Sequence, residues 1–330
     1  MIMAAGLGTR LQPFTSIEPK PTLPLMGIPM VQYVLDYLTH FGVRDAILNY
    51  HHLPDVFLDQ MAMMKKQNRI RIHLSDESKL LLGSAGGIAN AKPYFKKGPF
   101  LLLNADVLQW LNLEKLFDNH QKLKKEKGVL ITLAVLSPGK RREKYREIVL
   151  NPSQKTVKGL GEHSNYRPYY SGVAVMEEEA IASVRGNQPS EFVPMILEPA
   201  LRAGKVGYYL EENPIWMDIG SPELWWKAHF DLIKMVEGRK SFPDIWQRRI
   251  EKQNYCLQEG LWVDQHIPES WGAHAGSGYL GWAGHSKPSS PGPNCKAELV
   301  LYADEKTSRQ TEFNCGIGFK DKWVGFSKNP

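Results

Sequence analysis

The chain has 330 residues, 42% of them hydrophobic, with 41 Lys and Arg against 35 Asp and Glu for a net charge of +6. That length exceeds one typical domain, so a large domain followed by a smaller one is expected. No apolar run reaches the ~18 residues needed to span a bilayer and the amino terminus lacks a secretory pattern, which predicts a cytoplasmic protein without membrane contact. Three widely spaced cysteines, Cys256, Cys295 and Cys315, argue against a disulfide framework or a zinc site. The basic residues are interspersed with acidic ones, so a small anionic substrate explains the excess of charge as well as nucleic acid does.

Met1 to Ala5 reads as a strand entering a loop at Gly6. Because only Met1-Ile2-Met3 precede Ala4, this strand is expected either to have an early-truncated start or to be weakly anchored at a sheet edge. Apolar residues at Val31, Val34, Leu35 and Leu38 have helical spacing over Pro29 to Phe41, and Gly42 is placed to stop that helix. Ala46 to Leu48 reads as a strand, Val56 to Lys66 as a helix and Arg69 to Leu74 as a strand. Phe100 to Leu103 is a continuous apolar run suited to a strand buried on both faces, ending in Asn104-Ala105-Asp106. Leu113 to Lys125 follows as a helix and Val129 to Leu136 as a strand. Ile148 to Leu160, broken at Asn151-Pro152, resembles a hairpin. Further strands are expected at Tyr169 to Met176, Val206 to Leu210 and Ile215 to Met217.

Alternation of strands and helices predicts a doubly wound α/β domain with a mostly parallel sheet over residues 1–240. Composition then shifts toward Gly, Pro and Trp, and Pro288-Ser289-Ser290-Pro291-Gly292-Pro293 is a strong breaker. Trp246, Trp262, Trp271, Trp282 and Trp323 all follow the boundary, so residues 241–330 are expected to form a small β-rich module, with a homo-oligomer built through it as one reading.

The densest chemical signal is Ala4-Ala5-Gly6-Leu7-Gly8-Thr9-Arg10 followed by Pro19-Lys20-Pro21. Gly6 and Gly8 let backbone N–H groups approach phosphate oxygens, and Arg10 and Lys20 supply countercharge. The loop is neither a dinucleotide fingerprint, since Leu11 takes the third glycine position, nor a Walker A motif. Two glycines at a strand end otherwise make only a tight turn. Asp106 closes one strand and Asp218 stands beside the end of another, with Ser221 as helix N-cap and Pro222 at the first helical position. Two such aspartates suit Mg2+ held against phosphate, which needs few protein carboxylates; capping of turns is the alternative role for each.

These residues and their order resemble the sugar-1-phosphate nucleotidylyltransferases. The resemblance covers about residues 1 to 235 and rests on the opening loop with Pro13 and Thr15, on Pro19-Lys20-Pro21 with Pro24, and on Leu82-Gly83-Ser84-Ala85-Gly86-Gly87. Asn104-Ala105-Asp106, Tyr170-Ser171-Gly172 and Asp218-Ile219-Gly220-Ser221-Pro222-Glu223 complete it. It implies a Rossmann-like domain that joins an NTP to a sugar 1-phosphate and releases pyrophosphate, with no nucleic-acid or membrane partner. Gly6, Gly8 and Thr9 would embrace the triphosphate, Arg10 the departing pyrophosphate and Lys20 the attacking phosphate, with Asp106 and Asp218 on Mg2+. Ala5, Ser84 and Gly87 would line the base pocket and Gly172 the sugar.

Relatives often carry Glu-Lys-Pro where this chain has Lys158-Gly159-Leu160-Gly161-Glu162-His163, so Glu162 is read as a contact to sugar hydroxyls. Many relatives also append a left-handed β-helix, of which Gly260 to Val263 and Gly281 to Gly284 are loosely reminiscent, without a sustained six-residue period. Mannose 1-phosphate with GTP, N-acetylmuramate 1-phosphate with UTP, and glucose 1-phosphate with UTP or dTTP all fit. A catalytically inactive regulatory subunit that senses sugar nucleotides is the alternative class. His51-His52 reads as a loop or helix entry, Lys140 to Lys144 as a solvated loop, and Trp225-Trp226 as core.

Overall fold

The computed structural model describes residues 1–137, 145–164, 167–212, 214–238 and 242–252, and beyond these the backbone strands named below. In chain order, β1 (Ile2–Met3) leads into a loop, the hairpin β2 (Pro24–Leu25) and β3 (Ile28–Pro29), and helix α1 (Met30–His40). Next come β4 (Asp45–Tyr50), α2 (Pro54–Gln67), β5 (Arg71–Asp76), α3 (Gly83–Asn90), β6 (Phe100–Asn104), β7 (Val107–Trp110) and α4 (Leu113–Lys127). Strands β8 (Ile131–Leu136), β9 (Tyr145–Asn151), β10 (Thr156–Ser164) and β11 (Tyr169–Met176) precede α5 (Glu198–Arg202), β12 (Val206–Glu211) and β13 (Ile215–Asp218). Helices α6 (Pro222–Gly238) and α7 (Asp244–Glu251) follow. The last strands are β14 (Tyr255–Gln258), β15 (Leu261–Asp264), β16 (Ser277–Trp282), β17 (Leu299–Asp304), β18 (Cys315–Phe319) and β19 (Lys322–Phe326).

These elements form two compact units, Met1–Gly6 with Tyr37–Trp216, and Leu7–Asp36 with Met217–Pro330. The first holds a nine-stranded sheet of order β5-β4-β1-β6-β11-β8-β12-β10-β9. Local signals set its helices. In α4 the Asn112 side chain accepts the Lys115 N–H at 2.9 Å, Gly128 takes the left-handed C-terminal position at φ 63°, and Leu113, Leu116 and Leu123 are buried. Between β9 and β10 the chain turns through Pro152–Lys155, where Lys155 has φ 51°.

Two expectations are corrected. The sheet is mixed rather than mostly parallel: β5, β4, β1 and β6 run parallel, but β11 lies antiparallel between β6 and β8. Strand β12 is again parallel to β8, while β10 is antiparallel to both β12 and β9. Side-chain periodicity reports which face a residue lines and carries no strand direction. The leading strand is also not an edge. Although β1 has two residues, it is flanked by β4 and β6, with Ile2 opposite both Leu48 and Leu103 and fully buried. In β6 only Leu102 and Leu103 are buried, whereas Phe100 and Leu101 are partly exposed.

The second unit packs the opening loop and the start of α1 against α6 and α7. Trp225 of α6 donates its indole N–H to the Pro24 carbonyl at 2.8 Å and meets Phe14 edge to face at 5.1 Å. Trp246 of α7 does the same to the Tyr33 carbonyl at 3.1 Å. Phe14, Leu23 and Leu25 are fully buried in this unit, each contributing about 1.5–3 kcal/mol. Trp225 and Trp226 are therefore core residues, as expected. Arg249 of α7 ion-pairs with the buried Asp36, whose carboxyl is pushed up by burial despite that partner.

Beyond residue 254 the described backbone forms the antiparallel pair β14–β15 and the four-stranded antiparallel sheet β16-β17-β18-β19. Lys140 to Lys144, Cys295, Trp271 and the Pro288 to Pro293 breaker lie outside the described residues. Among the described residues no helix is long and apolar enough to cross a membrane.

Candidate active site

In the second unit the glycine loop is shaped by its own packing. Gly8 has φ 64° and starts a short helical turn over Thr9–Leu11, with the Leu11 N–H on its carbonyl at 2.8 Å. The Thr15 hydroxyl donates to that same carbonyl at 2.9 Å. A Cβ at Gly8 would stand 2.8 Å from Thr15 Cγ2 and 3.2 Å from Lys20 Cβ, so backbone conformation and space both demand glycine there. Gly8, Thr15 and the stem of Lys20 are thus gathered at one point. Lys20 opens a second short turn, Lys20–Thr22, and is 8% exposed. Thr9 and Arg10 are exposed, as is Gly6, at which a Cβ would meet nothing within 4 Å.

The same unit brings Arg10 and Asp218 together. A Cβ at Gly220 would stand 2.8 Å and 2.9 Å from the two terminal nitrogens of Arg10 and 2.9 Å from Asp218 Oδ1. Ser221 then caps α6, accepting the Leu224 N–H at 3.3 Å, with Pro222 at the first helical position as the sequence predicts.

In the first unit the carboxyl ends of the parallel strands carry the remaining candidates, the position where ligands bind in open α/β sheets. Asp106 follows β6 in the turn to β7 and is partly exposed. Gly172 sits where the β11–β8 register shifts, at φ 92°, and its missing Cβ would lie 3.0 Å from Asn104 Nδ2. Glu162 is exposed on the irregular stretch of β10 between Leu160 and His163. Ala5 is buried just after β1.

Ser84 and Gly87 lie on α3, which is held by contacts the sequence did not reveal. The Ser190 carbonyl accepts the N–H groups of Ala85 at 2.9 Å and Gly86 at 3.2 Å, filling the helix N-terminus from within the chain. The Ser84 hydroxyl donates to Glu191 at 2.6 Å and accepts the Phe192 N–H at 2.7 Å. Gly87 packs on two buried polar side chains: its Cβ would fall 2.6 Å from Glu77 Oε1 and 2.9 Å from Asn49 Nδ2. Burial pushes the Glu77 carboxyl up, opposed by hydrogen bonds from Asn49 and the Leu82 N–H. Asn49, Glu77, Glu191 and Gly220 went unassigned in the sequence. A polar Asn49 directly after the apolar run Ala46-Ile47-Leu48 was the one available signal.

A cavity of about 450 Å³ lies at the opposite, amino ends of β1, β4 and β6, lined by Met1, Ala46, Ile47, Phe100 and Leu101, away from these candidates. Among the described residues no three His, Cys, Asp or Glu side chains cluster to hold a metal. Two carboxylates completed by substrate phosphates are the ordinary magnesium arrangement. Asp218, a hard oxygen donor packed with the Arg10 guanidinium on Gly220, has the donor chemistry that ion takes.

A glycine loop after a central strand, a cation and a carboxylate packed together on Gly220, and further candidates at strand carboxyl ends mark an α/β protein equipped for an anionic ligand. The chain belongs to the nucleotidyl transferase family, whose model matches residues 1–235. It is 28% identical over 234 residues to a mannose-1-phosphate guanyltransferase of Saccharomyces cerevisiae, covering 68% of this chain and 61% of that protein. A mannose-1-phosphate guanylyltransferase of Arabidopsis thaliana is 27% identical over 232 residues, with 67% and 61% covered. The chain thus spans about 61% of the length of these relatives. In fold it is similar to HddC from Yersinia pseudotuberculosis complexed with GMP-PN, at TM-score 0.59 and 21% identity, covering 70% of this chain and 97% of that one. The inositol-1-phosphate CTP transferase of T. maritima is similar at TM-score 0.54 and 22% identity, with 69% and 94% covered.

Proposed function

We propose that this chain transfers a nucleoside monophosphate from an NTP to a sugar 1-phosphate, giving an NDP-sugar and pyrophosphate. The observation that carries this reading is the Arg10 guanidinium and the Asp218 carboxylate packed together against Gly220, in a chain of this family. An oxygen of the sugar phosphate attacks the α-phosphorus, the bond to the β-phosphate breaks, and pyrophosphate leaves. No protein nucleophile is needed, because alignment of two anions and neutralisation of spreading charge supply most of the rate.

In this reading Gly6, Gly8 and Thr9 offer the triphosphate close backbone approach, Arg10 takes charge developing on pyrophosphate, and Lys20 draws in the attacking phosphate. Asp106 and Asp218 are the carboxylates assigned to Mg2+, which when bound supplies further charge neutralisation. Ala5, Ser84 and Gly87 border the base; Gly87 packs on Glu77 and Asn49, and the Ser84 hydroxyl serves chiefly to hold α3 through Glu191. Gly172 and Glu162 face the sugar. GTP with mannose 1-phosphate is the first pair to test, given the relatives' names; UTP with glucose or N-acetylmuramate 1-phosphate comes next. We assign catalysis to residues 1–240, in a cytoplasmic setting, and homo-oligomer formation to the module of residues 241–330.

Asp106→Asn tests the site. Magnesium-dependent turnover is expected to fall at least about 100-fold with an unchanged melting profile, on the scale of losing one group that stabilises transition-state charge. Near-normal turnover would remove Asp106 from the mechanism.

A further inference from the structure

Two buried side chains with no role in the chemistry join the opening loop to helix α3. The Ala4 N–H donates to Asn49 Oδ1 at 2.7 Å, Asn49 Nδ2 donates to Glu77 Oε1 at 2.7 Å, and the Leu82 N–H donates to Glu77 Oε2 at 3.0 Å. The orientation of the Asn49 amide is fixed at both ends, since a backbone N–H needs its oxygen and a carboxylate needs its NH2. Asn49 and Glu77 are 1% and 2% exposed. The Glu77 main chain is held as well: its N–H donates to the Tyr50 carbonyl at 2.9 Å, and its carbonyl accepts the Leu80 N–H at 3.0 Å. Around the pair, His51 Nδ1 lies 2.6 Å from the Glu77 carbonyl, and Asp76 precedes it.

We propose that the Asn49–Glu77 pair positions the binding site for the NTP. It fixes the end of β1, where Ala5 stands, against α3, where Gly87 packs on both side chains, and so sets nucleotide affinity rather than the rate of the chemical step. This rests on the nucleotidyl-transfer reading and assigns the base side of the nucleotide to the span the pair holds. Glycine at position 87 is part of the device, since any Cβ there would push the two partners apart.

Asn49→Asp makes the inference testable, because it sets two carboxylates at hydrogen-bond distance. They share one proton at low pH and repel when both ionise. Binding of GTP and of UTP with magnesium is measured by titration calorimetry at pH 6 and pH 8.5, alongside kcat for pyrophosphate release and melting curves. The expected result is a variant-to-wild-type Kd ratio within about threefold of unity at pH 6. At pH 8.5 the ratio rises at least about tenfold, with kcat within about threefold of wild type. A ratio that stays flat with pH, or a loss confined to kcat, overturns the proposal.

Glu77→Gln is the second variant, and it decides alone if Asn49→Asp does not fold. Its amide faces two donors with one acceptor, so weaker nucleotide binding without new pH dependence is expected. Loss of kcat at unchanged Kd in this variant contradicts the proposal. A wild-type chain that binds nucleotide but turns over no substrate pair overturns the functional reading and leaves the Kd ratios to judge the positioning role. A wild-type chain that binds neither nucleotide overturns both.

Discussion

At Gly8 a positive φ and two close neighbours act together, whereas at Gly6 a Cβ would meet nothing. Gly8→Ala is therefore expected to destabilise by about 1–3 kcal/mol and Gly6→Ala by less than about 0.5–1 kcal/mol. Urea melts of the two variants make the comparison, and equal losses would contradict the account. Gly220 is a different case, since Arg10 and Asp218 fill the space that a side chain there would need. Gly220→Ala should displace both groups and lower kcat for pyrophosphate release by at least about tenfold while KM for either substrate moves less. A variant with wild-type kcat would separate this cradle from catalysis.

At the scale of elements, α6 carries a pH signature. His229 is fully buried on it, with Nδ1 at 2.8 Å from the Trp225 carbonyl, and burial pulls the imidazole down to about 4. The folded chain keeps this histidine neutral while the unfolded chain protonates it near pH 6.5. Stability is therefore intact above pH 6.5 and declines as pH falls toward 4, by up to about 3 kcal/mol from this group. In His229→Leu that part of the slope should vanish from denaturant melts at pH 7 and pH 4.5; an unchanged slope would place the acid sensitivity elsewhere.

Elements with strong periodicity were legible in the sequence. The strand over Tyr169–Met176 appears with the predicted bounds, and the helix from Leu113 extends two residues beyond the expected end to Lys127, stopped by Gly128. Helix α3 was not legible as a helix, because Gly83, Gly86 and Gly87 are poor helix formers and the Ser190 carbonyl holds it from a distant segment. The direction of β11 and the central place of β1 were hidden for a related reason: partner choice is a tertiary property.

At the scale of the whole molecule, each compact unit is assembled from two separate stretches of chain. Reading along the sequence suggested one boundary near residue 240, yet Trp246 of α7 packs on Tyr33 of α1 within the second unit. The loop, Lys20, Asp106 and Asp218 stand out as candidates because their residue types and order are specific. Their supports, Asn49, Glu77, Glu191 and Gly220, act through distances that no linear spacing records. Membership in the nucleotidyl transferase family is what favours nucleotidyl transfer as the proposed reaction.

The most direct measurement is pyrophosphate release by the full chain across a matrix of GTP, UTP, dTTP and ATP against mannose, glucose and N-acetylmuramate 1-phosphates, with magnesium. The account predicts turnover concentrated in one or two pairs, led by GTP with mannose 1-phosphate, and abolished in Asp218→Asn. Tight nucleotide binding with no pyrophosphate released from any pair would contradict it and identify the chain as a regulatory relative that senses sugar nucleotides.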